Sequence, residues 1–135
     1  MTYLLDTKIC IRYLNDAQSR VASRLAALPR TEVVLCDIVR FELYYGAYRS
    51  TRRERNLQLL ATFFNGFASL PFEGRAADIG GRIRADLASQ GTPIGPNDLL
   101  IAAIALANNL TLVTHNTREF GRVEGLTLED WEADA

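Results

Sequence analysis

The sequence predicts an α/β fold: a central, mostly parallel sheet of four or five short strands, flanked by helices in a three-layer arrangement. Three observations carry this. Short apolar runs that read as buried strands alternate with segments of helical periodicity, as in a parallel sheet covered on both faces. At 135 residues, with no repeat, low-complexity tract or linker, residues 1–135 read as one domain. The 48% hydrophobic content argues for a real core and against disorder.

The elements follow in order. Tyr3-Leu4-Leu5 is an apolar run ending at Asp6, a buried strand reaching a sheet edge. Thr7 then offers an N-cap for a helix carrying Ile9 and Leu14. A second helix spans Ser19–Leu28, stopped by Pro29. Val33-Val34-Leu35-Cys36 is a second buried strand, rich in β-branched residues. Asp37 is the expected cap of a helix over Ile38–Tyr48. Residues 52–66 place Leu57, Leu60, Phe63 and Phe64 on one helical face. Ser69-Leu70-Pro71 suits a short strand. Residues 74–89 form a helix with Ile79, Ile83 and Leu87 at four-residue steps. Gly91, Pro93, Gly95 and Pro96 break the chain. A nearly all-apolar helix runs from Asn97 to Asn108. Thr111-Leu112-Val113-Thr114 is a third clear strand, and Thr127-Leu128 adds a further short one.

Charge is unevenly placed along the chain. The net charge is −1, which excludes a generally basic nucleic-acid wrapper. Residues 119–135, however, hold six acids and one base, whereas residues 1–118 hold 14 bases and 10 acids, a local +4. Fourteen of the fifteen bases are arginine, and Lys8 is the sole lysine. Cys10 and Cys36 have no CxxC spacing, and with His115 as the one histidine they argue against a zinc site. Buried free thiols in a reducing cytosol are the expectation. No signal peptide is visible, and the apolar run Leu99–Ala107 is too short for a bilayer span of roughly 20 residues. A soluble, cytoplasmic protein with no membrane partner is expected.

Ligands of parallel sheets gather beyond the carboxyl ends of the strands, which turns attention to four acids. Asp6 ends the first strand, where a carboxylate is costly to desolvate without compensation. Glu42 shares a helix face with Ile38 and Tyr45, interrupting an apolar stripe. Asp98 stands in the first turn of the most apolar helix, behind Gly95 and Pro96, and is the only charge between Asp86 and Arg118. Glu119 follows the third clear strand, with Asn116 a neutral oxygen ligand beside it. His115 is read as a local hydrogen-bonding residue in preference to a proton shuttle. Carboxylates gathered at one edge repel, so some stay protonated unless a cation intervenes. Mg²⁺ prefers oxygen ligands and pairs a few carboxylates with substrate phosphates. The expected chemistry is metal-assisted hydrolysis of a phosphate ester.

At these residues the chain resembles a PIN-domain ribonuclease of the VapC toxin type. The resemblance rests on Leu4-Leu5-Asp6-Thr7, on the run from Gly91 through Asp98 to Ala103, on Leu112 through Phe120, and on Leu128-Glu129-Asp130-Trp131. Glu42 falls between the first two. The resemblance implies a PIN-like fold and a Mg²⁺-dependent (or Mn²⁺-dependent) endoribonuclease toxin that cleaves structured RNA, commonly tRNA. It matches Asp6, Glu42 and Asp98 to the acidic metal positions and Glu119 to the fourth acid of the catalytic set. Thr7, Thr114 and Asn116 stand beside these as support. Other members carry Asp where Asn116 stands, and Asn where Lys8 stands. The resemblance also implies a homodimer and a complex with a VapB-like antitoxin that blocks the site.

Arg49, Arg52 and Arg53, with Arg55, and also Arg82 and Arg84, are candidates for RNA contact, since guanidinium forks suit phosphates. Arg82 and Asp86 alternatively form an i,i+4 pair. Phe41, Tyr44, Tyr45 and Tyr48 are candidates for an antitoxin or dimer groove. Two other readings compete. An aspartyl-phosphate phosphatase would place Asp at residue 8, where Lys8 stands. A catalytically inactive PIN-like binding or regulatory module has only Lys8 in its favour.

Overall fold

Five short strands, β1 (Tyr3–Leu5), β2 (Val33–Cys36), β3 (Ser69–Leu70), β4 (Thr111–Val113) and β5 (Leu128–Glu129), form one sheet in the order β3-β2-β1-β4-β5. This computed structural model describes residues 1–133; Asp134 of the acidic tail lies outside the described residues. Every pairing is parallel, so the sheet is wholly and not just mostly parallel. β1 is central, with Leu4 against Val34 on one side and Leu5 against Val113 on the other. Leu4, Leu5, Leu35 and Leu112 are fully buried, as expected of strands covered on both faces.

Seven helices join the strands: α1 (Thr7–Asn15), α2 (Arg20–Ala26), α3 (Asp37–Arg49), α4 (Arg53–Phe64), α5 (Gly74–Ser89), α6 (Pro96–Ala107) and α7 (Thr117–Phe120). A single 3-10 turn, Arg30–Glu32, leads into β2. α6 is the core helix, and Ile101 through Ala105 have no exposed surface. Burying Ile101 and Ile104 stabilises the fold by about 2 kcal/mol each. α5 packs on α6, with Ala76, Gly80, Ile83 and Leu87 its buried residues and the expected Ile79 packed half-buried beside them. A Cβ on Gly80 would lie 3.3 Å from that of Ala103, so the glycine sets how closely the two helices approach.

Two caps differ from expectation. Asp6, not Thr7, caps α1, its carboxylate accepting from the Ile9 N–H at 2.9 Å. Thr7 is the first helical residue and its hydroxyl points elsewhere. Asp37 likewise lies inside α3; Cys36 occupies the cap position, and Asp37 accepts from the Ser69 hydroxyl at 2.6 Å. Both Asp and Thr are good cap formers, so local sequence cannot choose between neighbours. The last strand comprises Leu128–Glu129, one residue later than expected. Among the described residues, no helix is long and apolar enough to cross a membrane. Cys10 and Cys36 are buried free thiols, and burial pushes both thiols up, Cys36 to about 11.

Candidate active site

Parallel strands bring their carboxyl ends to one edge, and the residues that follow β1, β2 and β4 meet there. The Asp6 N–H donates to the Val113 carbonyl at 3.1 Å. This register sets Thr114 beside Asp6, and the Thr114 hydroxyl donates to the Asp6 carboxylate. Asp6 is only 5% exposed. Burial raises its pKa; the Thr114 and Ile9 hydrogen bonds and the Lys8 cation act against that, and Glu132 adds repulsion. Lys8 itself is exposed.

Glu42 does not interrupt the core stripe of α3, which is Val39, Leu43 and Ala47. It stands at the margin of that stripe and is held from two other helices. The Thr7 hydroxyl donates to Oε1 at 2.6 Å, and the Asn97 amide donates to Oε2 at 3.4 Å. One carboxylate thus ties α1, α3 and α6 together.

Asp98 occupies the first turn of α6, half-buried. Burial pushes its pKa up to about 6, and the charges of Glu119, Glu42 and Asp6 push in the same direction. Asp98 is also hydrogen-bonded to Glu119. When two carboxyl groups in contact share one proton, as here below about pH 6, it resides on Asp98. Glu119 is held low, chiefly by the Gly95 N–H at 2.7 Å, with help from the Asn116 amide at 3.3 Å, Asp98 and Arg122. Asn116 in turn donates its N–H to Thr114 Oγ1 at 3.0 Å. A continuous polar chain therefore runs Asp6–Thr114–Asn116–Glu119–Asp98 around the edge.

Gly95 has φ −54 and ψ 146, a conformation open to any residue, so backbone freedom is not what it provides. What it contributes is its N–H, which holds Glu119. A Cβ there would stand 3.6 Å from Glu119 Oε1 and 3.7 Å from Asp98 Oδ2, between the two carboxyl groups.

A family model for the PIN domain matches residues 3–126. The chain belongs to the PIN-domain family. Within that family it is 40% identical over 131 residues to the tRNA(fMet)-specific endonuclease VapC of Shigella flexneri, covering 97% of this chain and 98% of that one. It is 37% identical over 133 residues to ribonuclease VapC2 of Rickettsia felis, covering 98% and 99%. The DNA-bound VapBC structure from Salmonella typhimurium aligns with a TM-score of 0.92 at 37% identity, covering 97% of this chain and 98% of that one.

The donor set of this PIN domain fits a hard divalent cation. It consists of oxygen donors, and burial, with the charges of Glu119, Glu42 and Asp6 added to it, holds the Asp98 carboxyl up at about 6. Among the described residues, no three acidic, histidine or cysteine side chains already stand together as a ready-made ligand shell. The electrostatic coupling to Asp98 is what links the four.

Three participants were not singled out from the sequence. Asn97 holds Glu42, the Gly95 N–H holds Glu119, and Glu132 acts on Asp6. Asn97 is adjacent to Asp98 ahead of an apolar helix, and that polar pair was the available signal. The Gly95 and Glu132 roles arise only from tertiary approach. His115 is 65% exposed and bonds locally, Nδ1 lying 3.0 Å from Asp130 Oδ2.

The remaining candidates are placed as follows. Arg82 lines a cavity of about 400 Å³ with Asp86, Arg122 and Glu124. Arg84 lines an adjoining cleft of about 410 Å³ with Pro93, Ile94, Pro96 and Leu99, beside the turn that carries Asp98. Arg49, Arg52, Arg53 and Arg55 cluster at the junction of α3 and α4. Tyr44 is half-buried, its ring 5.2 Å from that of Phe64. Phe41, Tyr45 and Tyr48 are 58%, 56% and 54% exposed. They stand outside the apolar groove of about 320 Å³ between α1, α3 and α4, whose walls include Ile11, Leu14, Leu43, Leu59 and Leu60, with Glu42 among the lining residues.

Proposed function

We propose that this chain is a divalent-metal-dependent endoribonuclease of the VapC toxin type. The observation that carries the reading is the coupling of Asp98 to Glu119, Glu42 and Asp6 at the carboxyl edge of the sheet. Asp6, Asp98 and Glu42 would hold Mg²⁺, or Mn²⁺ in its place, with Glu119 as the fourth acid. The bound cation supplies neutralisation of phosphate charge and activation of water.

The chain's own residues do the rest. Thr7 and Asn97 fix Glu42, while Thr114 and the Ile9 N–H fix Asp6, so these carboxylates stand oriented before substrate arrives. Glu119, held ionised by Gly95 and Asn116, stands as a fixed negative charge, and Asp98, pushed up to about 6, is the carboxyl of the pair with the greater affinity for a proton. In the hydrolysis, water joins phosphorus, one backbone P–O bond breaks, and the departing oxygen gains a proton. Structured RNA is the substrate class, tRNA(fMet) being the one named for relatives.

A VapB-like antitoxin is the proposed inhibitor, and its apolar segment fits the groove of Ile11, Leu14, Leu43 and Leu59, which ends at Glu42. The working unit is proposed to be a cytoplasmic homodimer that binds the antitoxin as a heteromeric complex. The test is to map RNA ends after brief expression of the wild type and of Asp98→Asn, and to repeat cleavage in vitro with Mg²⁺, Mn²⁺ or chelator. New ends are expected only with the wild type and only with metal. Equal cleavage by Asp98→Asn, or cleavage in chelator, refutes the reading.

A further inference from the structure

α3 carries two different faces that part at Glu42. One side, Leu43, Gly46 and Ala47, turns into the apolar groove. The other side is exposed and aromatic, with Phe41, Tyr45 and Tyr48 at helical spacing. Two arginines lie on this second face. Arg49 sits over the Tyr45 ring, 5.2 Å from its centroid, with Nη1 3.4 Å from the Tyr45 hydroxyl. Arg53 lies 5.9 Å from the Tyr48 centroid and donates to the Tyr48 carbonyl at 3.0 Å. Among the described residues, neither guanidinium has a carboxylate partner.

The strip is aligned with the site. At about 100° and about 1.5 Å per residue, Tyr45 lies about 60° round and about 4.5 Å along from Glu42, and Arg49 about 20° round and about 10 Å along. Glu42, Tyr45 and Arg49 therefore form one line down α3, leading from the acidic edge to the arginine cluster 49–55.

We propose that the Tyr45–Arg49 stack is an RNA-positioning element, with Tyr45 presenting a ring to an unpaired base and Arg49 gripping the neighbouring phosphate. This rests on the ribonuclease reading and adds to it the track along which the substrate approaches. The chemistry favours RNA over a protein partner. Exposed aromatic rings interleaved with guanidinium groups suit bases and phosphates in alternation. An amphipathic antitoxin helix has the better seat on the opposite side of α3.

The test uses the full-length chain with bulk tRNA and tRNA(fMet) as probes. Binding is measured in an Asp98→Asn background and cleavage in the active one. Tyr45→Ala and Arg49→Ala are each expected to weaken tRNA binding about tenfold, and Arg49→Ala to lower the salt slope by about one. Tyr45→Phe, which keeps the ring, is expected to bind like the parent. In the active background KM should rise about tenfold, while kcat at saturating RNA stays within about twofold. Unchanged tRNA affinity in both alanine variants, with the wild type still cleaving, overturns the proposal. So does loss of dimer mass or of antitoxin binding with RNA affinity intact, since the strip is then a protein interface. A wild type that neither binds nor cleaves tRNA instead brings down the ribonuclease reading on which the proposal rests.

Discussion

Replacing Asp98 with Asn should stabilise the fold at neutral pH while abolishing cleavage. Asp98 carries a carboxyl shifted from 3.8 to about 6, so ionising it at pH 7.5 works against the folded state. A shift of that size would be worth about 3 kcal/mol in a fully shielded site. Asp98 is half exposed, and solvent screening reduces this to about 1.5 kcal/mol. Asn also forgoes the favourable charge–dipole interaction in the first turn of α6, about 0.5 kcal/mol. A net gain of about 1 kcal/mol remains, equivalent to about 3–5 °C in melting temperature for a chain this long. The sign in pH follows from linkage. The folded state binds the extra proton, so wild-type stability falls as pH rises from about 4 through about 6, then levels. The advantage of Asp98→Asn should therefore be absent near pH 4 and complete above pH 7. Thermal melts in metal-free buffer from pH 4 to 8 measure it directly. Added Mg²⁺ should raise the wild-type melting temperature more than that of the variant. An Asn variant less stable than wild type at pH 7.5, or an advantage independent of pH, would refute the argument that these carboxyl groups repel.

Three further outcomes are expected. Asp6→Asn should keep the cap on α1 and fold normally but lose cleavage, whereas Asp6→Ala should also cost about 1 kcal/mol of stability, measured by denaturant titration. Thr7→Val, which removes the 2.6 Å bond to Glu42, should destabilise by about 1 kcal/mol and weaken metal affinity in isothermal titration. A Thr7→Val chain with unaltered affinity would show that Glu42 needs no such anchor. Gly95→Ala should melt within about 0.5 kcal/mol of wild type, because its backbone conformation suits alanine. Its cleavage rate should also stay near that of wild type, because the new methyl makes only ordinary contacts with Glu119 and Asp98 and the Gly95 N–H bond to Glu119 is kept.

The strands and the core helix were legible because burial on both faces leaves nothing but apolar residues in those runs: Val33–Cys36 and Leu99–Ala107 admit few other readings. Asp6 and Asp98 were legible as charges at the ends of such runs, whereas Glu42 lies at the margin of the Val39, Leu43 and Ala47 stripe and does not interrupt it. What was not legible depends on approach between distant segments. Nothing local says that Thr7 serves Glu42 and not its own helix, since capping and tertiary hydrogen bonding use the same hydroxyl. Hydrophobicity alone did not separate the α3 aromatics: Tyr44 packs on Phe64, whereas Phe41, Tyr45 and Tyr48 face outward. The glycine at 95 was read as a break ahead of the helix, and the hydrogen bond from its N–H to Glu119 arises only from tertiary approach.

The central position of β1 has a consequence for how such a protein comes into being. Its first functional acid is made almost at once, but its partner strand β4 and the last acid, Glu119, come more than a hundred residues later. At about 5–20 residues per second, roughly 6–20 s separate the two on the ribosome. During that interval the nascent chain cannot assemble the four acids, and a chain truncated before residue 119 never can. The acidic edge therefore closes only when β4 and the segment carrying Glu119 have docked beside β1.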